Sequence, residues 1–135
     1  MKVLTLDDFD LKDKTVFLRV DMNCPIDPET MEITGTKRIE EAIETIQSLK
    51  EAKVVVASHQ GRVGNKDYTG MDKHAKVLEK LLDKKVKYVE DVIGTSAQNE
   101  IKNLQNGEVL LYTIFVCVLK KITNSHQKMP QKPLW

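Results

Sequence analysis

The sequence predicts an α/β protein with a doubly wound parallel sheet, because strand-like and helix-like segments alternate along it. Apolar, β-branched runs occupy residues 15–20 and 53–57, and a segment with helical periodicity lies between them. A crossover of this kind joins parallel strands through a right-handed connection. The alternation then repeats, which favours a layered α/β sheet over a helical bundle or a β-sandwich.

The first run, residues 15–20, is apolar enough to be an interior strand, and it ends at Asp21. The segment that follows carries an apolar stripe that would cover the sheet. The stripe consists of Ile39, Ala42, Ile43, Ile46 and Leu49. The run at 53–57 has the same character as the first and predicts a neighbouring strand.

Two further helices and two further strands are predicted in the second half. Asp72 would be the N-cap of a second helix, and Thr95 would cap a third, which Asn106 and Gly107 end. Strands are predicted at 86–89 and 108–111. The buried helical positions would be Ala75, Leu78, Leu81, Leu82, Ala97, Ile101 and Leu104. The whole pattern is that of a Rossmann-like sheet.

Composition bounds the function. A chain of 135 residues that is 41% hydrophobic can bury one core. Its 21 basic and 20 acidic residues nearly cancel and its aromatic content is 5%, so we expect neither a nucleic acid nor a membrane partner. We also expect a cytoplasmic location, because the N-terminus lacks the apolar stretch of a signal peptide. The two cysteines, Cys24 and Cys117, lack metal-ligand spacing and are expected to be structural thiols.

Polar side chains follow the first two strands and predict a binding site at the edge where both strands end. Arg62 and His59 would form an anion clamp, in which the guanidinium suits a carboxylate or a phosphate. Asp21 and Asn23 would face the same crevice if the chain turns at the following proline, and could bind a ligand hydroxyl or carboxylate. Arg38 begins a helix, where the dipole disfavours a cation, which suggests a role directed at a ligand.

Each of these residues also has a plain structural interpretation. Asp21 could close a turn, His59 could cap a loop, and Arg38 and Arg62 could be solvated surface residues. The presence of five such groups after two strands is what favours a site.

Four stretches resemble the phosphoglycerate kinase family, of the archaeal type, in its N-terminal domain. They are residues 18–27, Ile33-Thr34 followed by Arg38-Ile39, residues 57–62, and residues 107–111, in family order. Departures within these stretches and just beyond them are few: Cys24 stands where valine is common, Gln60 where leucine is common, and Val63 where proline is common. The resemblance runs from about Leu4 to Leu111, so residues 1–111 would be a partial N-terminal domain of a two-domain kinase.

The resemblance implies a site and a reaction. Asp21 and Asn23 would bind the hydroxyl and carboxyl end of 3-phosphoglycerate, His59 and Arg62 would bind its phosphate, and Arg38 would be catalytic as well, stabilising the transferred phosphoryl group. The implied reaction passes a phosphoryl group between 1,3-bisphosphoglycerate and ADP in glycolysis and gluconeogenesis. MgATP or MgADP would bind to the family's second domain, so this chain would hold no cofactor and no metal, and alone it would be inactive.

The resemblance ends after Leu111, where the family usually continues into Glu-Asn-x-Arg-Phe and supplies another substrate arginine. Residues 112–135 are instead a divergent tail, expected to be poorly ordered, although residues 112–119 suit a continuation of the strand. A one-base slip in the reading frame is our hypothesis for the tail. Regrouping the permitted codons for residues 125–133 allows a family-like proline and glutamate stretch, and sequencing the coding DNA tests the idea.

Two other function classes fit the sequence less well. A receiver-like signalling domain needs acidic residues after its first strand and a lysine after its last, which the sequence does not place. A dinucleotide-binding module needs a glycine fingerprint that is missing. The remaining alternative is an inactive fragment that acts at most as a weak phosphoglycerate-binding module.

Overall fold

A computed structural model describes residues 3–91 and 94–114, so the predicted tail lies outside the described residues from position 115 onward. A short 3-10 turn at Leu6–Asp8 precedes an alternating series of strands and helices. In chain order the series is β1 (Thr15–Arg19), α1 (Lys37–Ser48), β2 (Lys53–Ser58), α2 (Asp72–Leu82), β3 (Val86–Val89), α3 (Thr95–Asn103) and β4 (Val109–Thr113).

The four strands form one parallel sheet in the order β1-β2-β4-β3. β1 lies directly beside β2, as the crossover through α1 requires. β4 lies between β2 and β3. The connection from β2 to β3 through α2 therefore skips one strand position, which β4 later occupies. The register aligns Phe17 with Val55 and Val55 with Leu110. The carboxyl ends of these parallel strands therefore lie along one common edge of the sheet.

Helices pack on both faces of the sheet, which confirms the predicted doubly wound α/β fold. Val54 and Val56 of β2 belong to the larger core with α1 and α2, whereas Val55 belongs to a smaller core with Leu104, at the end of α3. Alternate residues of β2 are thus buried on opposite faces, because successive side chains of a strand point to opposite sides. This explains why the segment reads as a continuous apolar run.

The prediction of β1 as an interior strand was wrong. Among the described residues β1 pairs with β2 alone, and it forms the edge of the sheet. Its alternate positions are exposed, and the side chain of Phe17 is 62% exposed. Apolar content could not distinguish the two cases, because an edge strand that packs on one face can be as hydrophobic as an interior one.

Both predicted N-caps were also wrong by one residue. Met71 is the N-cap of α2, so Asp72 is the first helical residue. The N–H of Met71 donates to the hydroxyl of Tyr88 at 3.0 Å. Gly94 precedes α3, and a carboxylate oxygen of Asp91 accepts the Ala97 N–H at 3.1 Å. The Asp91 side chain, which precedes the helix, thus accepts a backbone N–H of the first turn, as a capping threonine was expected to do.

The buried stripes of the helices agree with most of the predicted positions, but Ile43 and Ile101 are only partly buried against the core and Leu81 is exposed. Leu81 is 38% exposed because Leu78 and Leu82 already complete the buried stripe of α2. His74 occupies a buried position on that stripe that the sequence analysis left out. Within residues 3–91 and 94–114, no helix is long and apolar enough to cross a membrane.

Candidate functional site

The loops that follow β1 and β2 leave the same edge of the sheet. Arg19, the last residue of β1, is paired with Ala57 of β2, and both strands run in the same direction. The segment from Asp21 therefore begins beside the segment from His59. Parallel strands that end together create the crevice in which α/β proteins bind ligands.

Side chains of the second loop hold the backbone of the first. The Ser58 hydroxyl accepts the N–H of Met22 at 3.0 Å. The Gln60 amide accepts the N–H of Cys24 at 2.9 Å and donates to its carbonyl at 3.0 Å. All four residues are buried, and buried polar groups need such partners, so these bonds fix the two loops against each other.

Asn23 completes this junction in the opposite direction. Its side-chain oxygen accepts the N–H of Gly61 at 3.0 Å, which leaves the amide nitrogen of Asn23 as the group that can donate to a ligand. Gly61 adopts a φ of +64°, and a Cβ there would lie 2.6 Å from the carbonyl oxygen of Asp67. Only glycine fits this turn, which presents the backbone of the second loop to Asn23.

Asp21 and Arg38 form an exposed ion pair at this edge of the sheet. The two side chains are 61% and 50% exposed. The backbone N–H of Asn23 also donates to Asp21 at 3.0 Å, so Asp21 does close a turn. This N–H and the Arg38 guanidinium hold the pKa of Asp21 below its ordinary value, and the charge of His59 acts in the same direction. Asp21 is therefore ionised at neutral pH.

The structure thus brings four of the five predicted residues together at one edge of the sheet. Asp21 contacts Arg38 directly, His59 lies near enough to influence Asp21, and Asn23 bonds to Gly61. Arg62 follows Gly61, is exposed, and has no side-chain partner among the described residues, so its guanidinium is available to an anion. Arg38 reaches back from the start of α1 across the loop, which accounts for a cation at this helix end.

The residues that the sequence analysis missed are those that hold the loops rather than face the crevice. The sequence prediction gives Ser58 and Gln60 no role, although their alternation with His59 indicates that they point away from it. His74 contacts Gln60 from α2 at 2.9 Å. A histidine within an otherwise apolar helical stripe was the signal that could have identified it. Cys24 is a free, buried cysteine, and burial raises the pKa of its thiol.

Comparison with known proteins gives one consistent family. The family model described as phosphoglycerate kinase matches residues 6–113. A phosphoglycerate kinase of Methanobacterium bryantii is 48% identical over 109 residues, and one of Methanococcus maripaludis is 48% identical over 110 residues. These alignments cover 79% and 80% of this chain but 27% of each relative. The chain therefore spans about a quarter of the length of the curated relatives it matches.

Solved structures show the same similarity in three dimensions. The crystal structure of phosphoglycerate kinase from Pyrococcus horikoshii superposes with a TM-score of 0.78 at 43% sequence identity, over 82% of this chain and 27% of that one. The phosphoglycerate kinase structure from Coxiella burnetii gives a TM-score of 0.64 at 27% identity, over 81% of this chain and 27% of that one. Both match the parallel sheet with its flanking helices.

Proposed function

The chain belongs to the phosphoglycerate kinase family, and from this membership we propose that it forms part of the 3-phosphoglycerate site of such an enzyme. The observation that carries the proposal is the crevice edge itself. There Arg38, from the first turn of α1, and Arg62, from the loop after β2, present two exposed guanidinium groups beside loops that are fixed to each other by hydrogen bonds. A phosphorylated acid has two anionic ends, and such a ligand suits two separate cations.

Each side chain has a role in the proposal. Asp21 and Asn23 bind the hydroxyl and carboxyl end of the substrate, the free amide nitrogen of Asn23 donating to an oxygen. Arg62 and His59 bind the phosphate. Arg38 neutralises charge on the phosphoryl group as it passes between 1,3-bisphosphoglycerate and ADP. Phosphoryl transfer depends mainly on positioning and charge neutralisation, so it needs no protein nucleophile.

The exposed pair between Arg38 and Asp21 is compatible with this role. An exposed ion pair contributes only about 0–1 kcal/mol, because water and salt compete with it. An incoming oxyanion can therefore replace Asp21 as the partner of Arg38 at little cost. Asp21, once released, is free to accept a hydrogen bond from the substrate hydroxyl.

The nucleotide is the second substrate, and we propose that MgATP and MgADP bind outside the described part of this chain. Among those residues no group of three or more His, Cys, Asp or Glu side chains could hold a metal ion. In the sequence, no glycine-rich string cradles a phosphate. We therefore expect the 135-residue chain by itself not to transfer a phosphoryl group, and ATP-dependent turnover by the purified chain in a coupled assay would refute this.

Calorimetry with 3-phosphoglycerate tests the binding role. We expect salt-sensitive binding by the full chain, weakened about 10- to 100-fold by Arg62→Ala, because a charge-assisted hydrogen bond contributes about 1.5–3 kcal/mol. The matched control is Lys66→Ala, which removes the same charge from an exposed position of the same loop. Equal losses in both variants would indicate general electrostatic attraction and contradict a specific phosphate contact.

The alternative is an inactive fragment with weak binding or none. The same titration separates the two, because the absence of any heat of binding to 3-phosphoglycerate at low salt would favour the inert fragment.

A further inference from the structure

A buried hydrogen-bonded chain joins α2 to the loop after β1, and Gln60 is at its centre. Gln60 is 1% exposed, and its backbone pairs with that of Thr69 in an isolated antiparallel bridge. Its side-chain amide makes both of its bonds to the first loop with the backbone of Cys24. Because one loop supplies the amide and the other supplies the backbone, this contact sets their register.

His74 supplies a third bond to the same amide. Its Nε2 lies 2.9 Å from Oε1 of Gln60, the oxygen that also accepts the Cys24 N–H. An amide oxygen only accepts, so Nε2 carries the proton and the neutral ring keeps its lone pair on Nδ1. That Nδ1 is buried and has no hydrogen-bond partner within the described residues. The bond to Gln60 is thus the one polar contact that the described structure gives the ring.

Packing alone does not account for this histidine. Its neighbours on the buried stripe of α2 include Ala75, Leu78 and Leu82. An apolar side chain at the same position would fill the space without leaving a buried nitrogen unpaired, which is unfavourable. What a histidine supplies here, and an apolar residue would not, is the hydrogen bond from Nε2 to the Gln60 amide.

We infer that His74 is a positioning residue for the substrate site, acting through Gln60 on the backbone at Cys24. Asn23 immediately precedes Cys24, and Arg62 lies two residues after Gln60, so this contact fixes the spacing between the two ends of the phosphoglycerate crevice. The inference rests on the proposed function for its substrate, but the link between His74 and the loops is testable without any ligand.

The ligand-free test is amide hydrogen exchange in the full chain. In His74→Leu we expect the Cys24 amide to exchange about five- to tenfold faster relative to amides of β2 and β4, because one hydrogen bond of ordinary strength is lost. His74→Gln keeps an N–H donor at a similar reach and should restore most of the protection. In the unmutated chain, the ¹⁵N chemical shifts of the His74 ring should report a proton on Nε2 and none on Nδ1.

The ligand test is a double-variant cycle that measures affinity for 3-phosphoglycerate. We expect His74→Leu to weaken binding about five- to tenfold, and to weaken it no further when it is added to Gln60→Met, since its effect passes through that amide. A purely structural contribution of the ring would instead add to the effect of Gln60→Met.

Three results would overturn the inference. The first is an NMR observation that the His74 ring carries its proton on Nδ1. This measurement requires no variant to fold. The second is an equal increase of exchange in the loop and in the core, and the third is additive losses of affinity in the cycle. If the unmutated chain does not bind 3-phosphoglycerate, the proposed function fails, and the ring tautomer and the exchange data alone decide whether His74 positions the loops.

Discussion

Lowering the pH from 7 to 5 should destabilise the fold through His74. The ring is fully buried, and burial lowers its pKa from the ordinary 6.5 to about 4, although the charge of Asp72 opposes the shift. Protonation would place a second N–H, on Nδ1, where no acceptor lies among the described residues. The folded chain therefore keeps this ring neutral at a pH at which the unfolded chain protonates it.

The magnitude follows from the difference between the two pKa values. Between pH 6.5 and 4 the unfolded chain binds more protons than the folded chain, so the free energy of unfolding falls as the pH falls. Each pKa unit corresponds to about 1.4 kcal/mol. The loss through His74 is then about 2 kcal/mol at pH 5 and about 3 kcal/mol at pH 4, a large part of the stability of a small domain.

Urea denaturation of the unmutated chain and of His74→Leu at pH 7, 6 and 5 measures this contribution. The variant should lose about 2 kcal/mol less than the unmutated chain over that range. Asp21 and Glu108 do not confuse the comparison, because their pKa values are lowered from 3.8 and 4.5. Their stabilisation is present above those ordinary values and is lost at lower pH, so both carboxyl groups stay ionised in a series that stops at pH 5, and the difference between the two proteins reports His74.

Two outcomes would refute the reasoning. One is a parallel pH dependence of the two proteins between pH 7 and 5. The other is a ring proton of His74 that titrates near pH 6.5 in the folded chain, observed by NMR. Asp72→Asn is a control of opposite sign, because Asp72 raises the pKa of His74 and its neutralisation should move that pKa further down.

Three substitutions test the packing. Gly61→Ala places a Cβ 2.6 Å from the carbonyl of Asp67 at a φ of +64°, and should cost about 1–3 kcal/mol in urea denaturation; unchanged stability would contradict the strained turn. Leu111→Ala, at a fully buried position of β4, should cost about 2–5 kcal/mol. Phe17→Ala, on the exposed edge, should change stability by less than about 1 kcal/mol, and the reverse ranking of these two variants would contradict the strand order.

The elements that the sequence predicted well are those whose neighbours are local. The stripe on α1 was predicted with its buried positions, because Ile39, Ala42 and Ile46 are spaced as a helix requires. β2 was recognised from its apolar run. The position of β1 at the edge depends instead on which strands pair across the sheet, and the caps depend on side chains such as Asp91 that arrive from outside the helix.

The candidate site divides in the same way. Four of the five candidate residues were identifiable because they follow strands, and the ends of parallel strands share an edge, whereas Arg38 was identifiable as a cation at the start of a helix. Their mutual contacts were not, since the pairing of Asp21 with Arg38 depends on how the loop after β1 folds back on α1. The sequence marks His74 as a polar residue in an apolar stripe but not its partner, because its bond to Gln60 exists only once α2 has packed on the sheet.

The hydrogen bonds between the two loops connect positions 36 and 38 apart in sequence, a span equal to one strand-helix-strand crossover. We therefore expect closure of that single crossover to bring the loop junction together before β3, α3 or β4 is added. In a refolding experiment, protection of the Met22 and Cys24 amides should accordingly develop with β1 and β2, in the same kinetic phase, and its appearance with α3 instead would show that the junction waits for the completed sheet.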